Sequence, residues 1–170
     1  MSAATLAHYI KAGDLVRIGR GVYRGKSAPT IDDFRWEDLV EAVQRTQQGV
    51  VCLISALALY GLTEEIPRQH WIAVPHGTRH RAQGLAKVVR MRNMNLGKTT
   101  LEISHATIPI FDRERTIVDS FRYLSREIAL KALKKSMAQP KRERINMERL
   151  RKYAKKLRFK IDPYLLAFSV

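Results

Sequence analysis

The side chains able to do chemistry are few, and their spacing argues against a reactive site. His76 and His80 have the i, i+4 spacing that can place two metal ligands on one face of a helix. Gly77 and the polar residues around it predict a loop instead, and no cysteine or carboxylate lies close enough in sequence to complete a site. We therefore predict neither a metal nor a cofactor.

The candidate nucleophiles also lack partners. Ser55 has no Gly-x-Ser-x-Gly elbow, and Cys52 lies in an apolar stretch where an inert core thiol is expected. Glu102 lacks the nearby lysine of a nuclease site, and no Gly-x-x-x-x-Gly-Lys phosphate loop occurs. Arg115 and Asp119, spaced i, i+4, are expected to form an ion pair at a helix start. These observations predict no catalytic residue and a non-enzymatic protein.

Positive charge is the strongest signal in the sequence. The 170 residues include 31 Lys or Arg and 16 Asp or Glu, a net charge of +15. The excess lies at the two ends: residues 1–30 carry about +4, and residues 122–160 hold 15 basic and 3 acidic residues. Such a balance predicts a polyanionic partner: nucleic acid first, then an acidic protein surface or an anionic membrane.

Composition and hydropathy argue against a disordered, membrane-spanning, secreted or disulfide-rich protein. Hydrophobic residues make up 45% of the chain, enough for a packed core. No apolar run approaches the roughly 20 residues of a spanning helix, and the first residues lack a signal-peptide apolar region. The single cysteine excludes a disulfide framework. We expect a cytoplasmic protein with no membrane partner.

Periodicity predicts an α+β fold. Residues 3–12 favour a short helix, residues 15–24 a β-hairpin turning at two glycines, and residues 25–34 a linker. A helical stripe then begins at Trp36, and residues 51–60 predict the most buried helix. Short strands are expected at 71–74, 88–91, 99–104 and 107–111, forming a small mixed sheet. The chain is predicted to be helical after Asp112, with an apolar tail that packs back onto the body.

Three of these segments resemble one family in its order. Residues 15–24 (LVRIGRGVYR) resemble the wing of the winged-helix domain in AbiEi-type antitoxins, from type IV toxin–antitoxin (abortive infection) systems. Residues 55–63 (SALALYGLT), with Ile66-Pro67 after them, resemble its central helix and turn. Residues 110–119 (IFDRERTIVD) are similar to its Glu-Arg-Thr segment. The resemblance runs with gaps from about residue 5 to 135.

The resemblance implies a two-part antitoxin. Residues 1–28 would be a partial winged helix-turn-helix that binds operator DNA and represses its own operon, because the segment begins at the position of the third helix of that domain. Residues 35–170 would be a helix-rich domain with a small mixed sheet that antagonises a nucleotidyltransferase-like toxin. An inverted-repeat operator would hold two copies, a possible homodimer on DNA.

The N-terminal unit offers two groups of candidate DNA contacts. A helix in the major groove would present polar side chains to bases and phosphates, and a wing would place arginines on the flanking backbone or minor groove. These residues are Thr5, His8, Tyr9 and Lys11 on the helix and Arg17, Arg20 and Arg24 on the wing. The alternative is a solvated hairpin whose arginines only maintain solubility.

The C-terminal helices carry a second basic surface. The density of positive charge there exceeds what solubility requires. Like charges spaced i, i+4 destabilise a helix by roughly a few tenths of a kcal/mol each, so a functional role is expected to offset that cost. It could extend the DNA footprint or dock on an acidic toxin surface, and truncation after Pro140 is expected to separate these roles. The alternative function is a general nucleic-acid module for structured RNA. The candidate residues are Lys134, Lys135, Arg149, Arg151, Lys152, Lys155 and Lys156.

Overall fold

A computed structural model describes residues 15–19, 22–25, 36–79, 84–103 and 106–166. The chain divides into two compact units, Met1–Arg35 and Trp36–Val170. The predicted helix at 3–12, with Thr5, His8, Tyr9 and Lys11, lies outside the described residues, as do Arg20 and most of the predicted linker.

The first unit contains the predicted hairpin. Strand β1 (Leu15–Gly19) pairs antiparallel with β2 (Val22–Gly25). The register shifts between Arg17 and Gly19, an irregularity typical of a β-bulge. The hairpin is confirmed, whereas the helices of a winged helix-turn-helix fall on residues that are not described.

The second unit is built on a five-stranded mixed sheet. Its strand order is β5-β4-β3-β7-β6; the pairs β4–β5 and β3–β7 are parallel, and β3–β4 and β6–β7 are antiparallel. The predicted small mixed sheet is therefore confirmed, and the fold is α+β. The strands are β3 (Val50–Val51), β4 (His70–Pro75), β5 (Ala86–Met91), β6 (Lys98–Ile103) and β7 (Ala106–Phe111).

The described part of the second unit also contains six helices. Three of them begin with a side-chain cap, in which Asp112, Ser125 or Asn146 accepts a backbone N–H three residues later. Among the residues described, none of the helices has the length and apolar character to cross a membrane. The helices are α1 (Glu37–Arg45), α2 (Leu53–Leu59), α3 (Arg113–Tyr123), α4 (Arg126–Ala138), α5 (Met147–Lys156) and α6 (Asp162–Leu166).

One predicted boundary is wrong. The apolar run 51–60 was expected to be helical throughout, but Val50 and Val51 form strand β3 between β4 and β7, and the helix α2 begins only at Leu53. Cys52 stands at the N-cap position between the two elements. A two-residue strand in the centre of a sheet has no periodicity of its own, so the continuous apolar run hid it.

Successive residues of β3 and β4 pack into two different hydrophobic clusters. Val51 and Ile72 pack with α1 on one face of the sheet, while Val50 and Ala73 join Leu53 and Phe111 in a separate cluster. A third cluster joins α2 to α6 and includes Ile161 and Leu165 from the chain's end. The expectation that the apolar tail packs back onto the body is confirmed as far as Leu165, whereas Leu166 is exposed.

His70 is a buried titratable group at the start of β4. Its side chain is 7% exposed, and its Nδ1 has no hydrogen-bond partner among the described residues. Burial holds the pKa of His70 below its usual 6.5, and nearby Asp38 opposes this effect. The neutral ring is therefore the form that the fold favours.

We expect His70 to make the fold less stable in mild acid. As the pH drops below about 6.5, the unfolded chain binds a proton that the folded chain resists, so the free energy of unfolding falls until the pH reaches the lowered pKa of the folded state. Urea unfolding at about pH 7.5 and about pH 5.5 should show a smaller pH-dependent loss in His70→Gln than in the wild type. An equal loss in both proteins would contradict this assignment.

Candidate functional site

Arg115 is the centre of a buried polar network at the start of α3. Its side chain has no exposed surface, and its Nε donates to Asp119 Oδ2 at 2.6 Å. Its terminal nitrogens donate to the carbonyl oxygens of Asn93 (2.9 Å), Leu96 (2.9 Å) and Arg92 (3.2 Å). The predicted Arg115–Asp119 ion pair is confirmed, and it also holds the 92–97 loop.

The neighbouring acidic residues tie α3 to α5. Asp112 caps α3 by accepting the Arg115 N–H at 2.8 Å, and it also accepts the Tyr153 hydroxyl at 3.0 Å. Burial raises the pKa of Asp112, whereas these two hydrogen bonds act in the opposite direction. Glu114, which is 6% exposed, accepts the Asn146 N–H at 2.7 Å. The carboxylates of this segment therefore all accept hydrogen bonds from other groups of the fold.

Gly97 shows how tightly this region is packed. Its φ of +70° is a conformation that glycine adopts without steric cost. A Cβ added there would lie 2.7 Å from the Arg115 Cβ and 2.9 Å from the Asp112 Oδ1. The 92–97 loop therefore packs directly against the start of α3. Most residues of the 110–119 segment make their contacts within the fold.

Arg113 differs from its neighbours because it faces an open groove. This groove, of about 430 Å³, lies among the start of α3, the edge strand β6, the 140–146 turn and the first turn of α5. We call it the arginine groove. Its arginines are Arg113, Arg142, Arg144 and Arg149, and residues 99–101 of β6 line its other side.

The groove carries positive charge that is only partly neutralised. The Arg113 guanidinium lies 4.7 Å from the centre of the Tyr60 ring and 3.6 Å from Glu143, and its Nε has no hydrogen-bond partner among the described residues. Arg149 is 3.8 Å from Glu114, and Arg142 has no ion pair in the described part of the chain. The groove can therefore bind an anionic group.

Tyr60 forms the floor beneath Arg113. Its hydroxyl donates to the Phe111 carbonyl at 2.9 Å, and Gln139 Nε2 donates to the Tyr60 carbonyl at 2.9 Å. Burial is the main cause that raises the pKa of Tyr60 far above its usual value, with Asp112 adding to it and Arg113 opposing it. The phenol is thus a neutral structural donor.

The predicted basic residues of the C-terminal helices are all exposed but do not share one surface. Lys134 and Lys135 border a cleft with Glu64, and Lys135 lies 3.7 Å from that carboxylate. Arg149 lines the arginine groove, and Lys156 lies beside the 93–96 turn.

The remaining three predicted residues lie on α5. Arg151 is 3.0 Å from Asp162 and shares a cleft with Lys155. Among the described residues, Lys134, Lys152, Lys155 and Lys156 have no ion-pair partner.

The two hairpin arginines that are described occupy positions in its ladder. Arg17 lies opposite Tyr23, and Arg24 lies opposite Val16. Arg113, Arg142 and Arg144 were not among the site residues predicted from the sequence. The basic run at 141–144 immediately after Pro140 was the available signal for two of them.

The weaker chemical candidates have structural places. Ser55 accepts the Trp71 N–H at 2.8 Å, so it joins α2 to β4. Burial, together with the charge of Asp119, raises the pKa of the Cys52 thiol, which favours the unreactive protonated form. Within the described ranges, no group of three or more His, Cys, Asp or Glu side chains could hold a metal ion.

Comparison with known protein families shows which family this chain belongs to. Residues 49–160, well over half of the sequence, match the AbiEi antitoxin C-terminal domain. This range contains all five strands of the sheet (β3 to β7), the Arg115 network and the arginine groove. No individual curated protein matches the chain. The chain therefore belongs to the AbiEi antitoxin family, the antitoxins of abortive-infection toxin–antitoxin systems, a regulatory and non-enzymatic kind of protein that acts with a toxin.

Proposed function

We propose that this antitoxin represses its own operon through residues 1–28 and antagonises a nucleotidyltransferase-like toxin through residues 35–170, in the cytoplasm. The N-terminal part would form the wing of a winged helix-turn-helix that binds operator DNA. Two copies on an inverted repeat would match the two-fold symmetry of such an operator.

The observation that carries the proposal is family membership joined to the distribution of charge. The matched domain lies in the second compact unit, while a separate basic segment of about +4 precedes it. Within that segment, a two-stranded hairpin bears Arg17 and Arg24 on its paired strands. A short ribbon with arginines suits contact with a phosphate backbone, which supports a wing.

The DNA-binding half is tested by removing two wing arginines from the full chain. Arg17→Ala/Arg20→Ala should weaken operator binding and reduce the salt dependence, because each lost phosphate contact lowers the slope of log K against log [salt] by about 0.9. A titration of labelled operator duplex at several salt concentrations measures both quantities. Lys152→Ala/Lys155→Ala on α5 is the matched control for the loss of two charges.

The same titration addresses the alternative of a general RNA-binding module. Operator duplex should compete better than random duplex or structured RNA if the N-terminal unit reads a sequence. Equal competition by all three, with the loss confined to the α5 variant, would favour RNA or nonspecific binding and contradict the wing assignment.

A further inference from the structure

The arginines of the arginine groove come from three different elements of the fold. Arg113 and Arg149 lie in the first turns of α3 and α5, and the other two arginines belong to the 140–146 turn. Strand β6 contributes the exposed residues Thr99 and Thr100 to the lining. The groove therefore brings guanidinium and hydroxyl donors from separate parts of the chain to one place.

The acidic residues of the groove already have hydrogen-bond donors within the fold. Asp112 accepts the Arg115 N–H at 2.8 Å and the Tyr153 hydroxyl at 3.0 Å, and Glu114 accepts the Asn146 N–H at 2.7 Å. The lining holds four arginines against these two carboxylates, which leaves it a net charge of +2. Positive charge in the groove is thus in excess, and the carboxylates are occupied elsewhere.

The arginines hold only weak ion pairs. Arg113 Nε is a buried donor without a hydrogen-bond partner among the described residues, and the 3.6 Å ion pair of this guanidinium is with Glu143, whose side chain is 54% exposed. Arg149 is 3.8 Å from Glu114, which is longer than a hydrogen bond. Arg142 has no ion pair in the described part of the chain. An entering anion can therefore accept hydrogen bonds here without breaking a short ion pair.

The charge and the donors of the groove distinguish among anions. A carboxylate carries a single negative charge, and so does a phosphodiester of a nucleic-acid backbone, which has two free oxygens. A terminal phosphate monoester carries about −1.5 to −2 at pH 7 and presents three acceptor oxygens. Its charge balances the +2 of the lining, and its oxygens can meet donors from several elements. The planar forks of arginine also match phosphate geometry.

The size of the groove and the charge of the chain indicate what carries this phosphate. A volume of about 430 Å³ is larger than a phosphate group requires and is typical of small-molecule sites, so part of the attached alcohol fits as well. The net charge of +15 attracts nucleotides and nucleic acids. A phosphorylated protein segment need not carry any further negative charge.

We propose that the arginine groove binds the terminal phosphate monoester of a nucleotide, either free or at the end of a nucleic-acid strand. The phosphate oxygens accept hydrogen bonds from the guanidinium groups of the groove. These residues are distinct from Arg17, Arg20 and Arg24, the proposed operator contacts, so the two sites can be tested separately. The groove residues are Arg113, Arg142, Arg144 and Arg149.

Calorimetric titration of the full chain tests the preference for a monoester. The probes are AMP, adenosine without a phosphate, and the dinucleoside monophosphate ApA, whose only phosphate is a diester. We expect AMP to bind about tenfold or more tightly than either of the others. Equal binding of AMP and ApA, or no binding of AMP, would overturn the proposal. Inorganic phosphate that binds as tightly as AMP would overturn the assignment to a nucleotide.

Two variants locate the site in the groove. Arg142→Gln/Arg144→Gln should weaken AMP binding by about tenfold or more, whereas the matched control Lys155→Gln/Lys156→Gln, outside the groove, should bind AMP as the wild type does. Thermal unfolding establishes that each variant is folded. If the double variant does not fold, Arg142→Gln alone should weaken AMP binding by about threefold or more. Wild-type affinity in a folded arginine variant would contradict the site.

A pair of otherwise identical oligonucleotides separates the two sources of the phosphate. One has a 5′-phosphate and the other a 5′-hydroxyl. A strand end is the ligand if the 5′-phosphate tightens binding beyond that of AMP and Arg142→Gln/Arg144→Gln removes this gain. A free nucleotide is the ligand if the two oligonucleotides bind equally while AMP still binds in the groove. An equal loss of both oligonucleotides in the arginine variant, without any preference for AMP over ApA, would assign the groove to the nucleic-acid backbone and overturn the proposal.

Discussion

Replacing Arg115 with alanine is expected to lower the free energy of unfolding by about 3–5 kcal/mol. The change leaves the buried Asp119 carboxylate without one of its partners and removes the donors to three loop carbonyls. Removing one member of a buried ion pair has a large cost because the remaining charge is not returned to water. Urea unfolding of the two proteins measures the difference directly.

Arg122 provides the matched control for this result. It donates to the other oxygen of the same Asp119 carboxylate at 2.7 Å, but its side chain is 27% exposed. Arg122→Ala should cost only about 1–2 kcal/mol, because water can reach part of the site. Equal losses in the two variants would contradict the view that Arg115 organises this region.

Truncation after Pro140 is expected to abolish cooperative unfolding. It would remove half of the buried residues of the cluster between α2 and α6, among them Leu150, Leu157 and Leu165. Loss of each large core side chain costs about 2–5 kcal/mol, against a total stability of about 5–15 kcal/mol for a typical domain. It would also remove Asn146 and Tyr153, which bond to Glu114 and Asp112. Circular dichroism during urea titration provides the measurement.

This expectation changes how the basic C-terminal surface should be tested. The sequence suggested that truncation at Pro140 would separate DNA binding from toxin antagonism, but the deleted segment is part of the core. Lys152→Gln/Lys155→Gln/Lys156→Gln instead changes three exposed side chains that have no ion-pair partner among the described residues. This variant should unfold within about 1 kcal/mol of the wild type. A cooperative transition in the truncated chain would contradict the assigned core.

Local patterns were sufficient to predict much of the fold. The hairpin follows from β-prone residues on either side of Gly19 and Gly21, and the longer strands follow from short apolar runs bounded by turn residues. Strand β3 could not be predicted, because two valines become a strand only when β4 and β7 lie on either side of them. That neighbourhood is a property of the assembled sheet.

The site was less predictable for the same physical reason. The i, i+4 spacing indicates that Arg115 pairs with Asp119, but nothing local indicates that its other nitrogens reach carbonyls 19 to 23 residues earlier. The arginine groove likewise combines Arg113 with Arg142 and Arg144, which meet only when the 140–146 turn packs beside β6. Density of charge in the sequence did not show which basic residues would share a surface.

The central claim is that one chain combines toxin antagonism with a separable operator-binding end. The most direct measurement is growth of cells that express a nucleotidyltransferase-like toxin, the proposed partner, together with either the wild-type chain or Arg17→Ala/Arg20→Ala. We predict that both proteins restore growth, whereas only the wild type shifts operator DNA at full affinity. Failure of the folded wild-type chain to restore growth would contradict the claim.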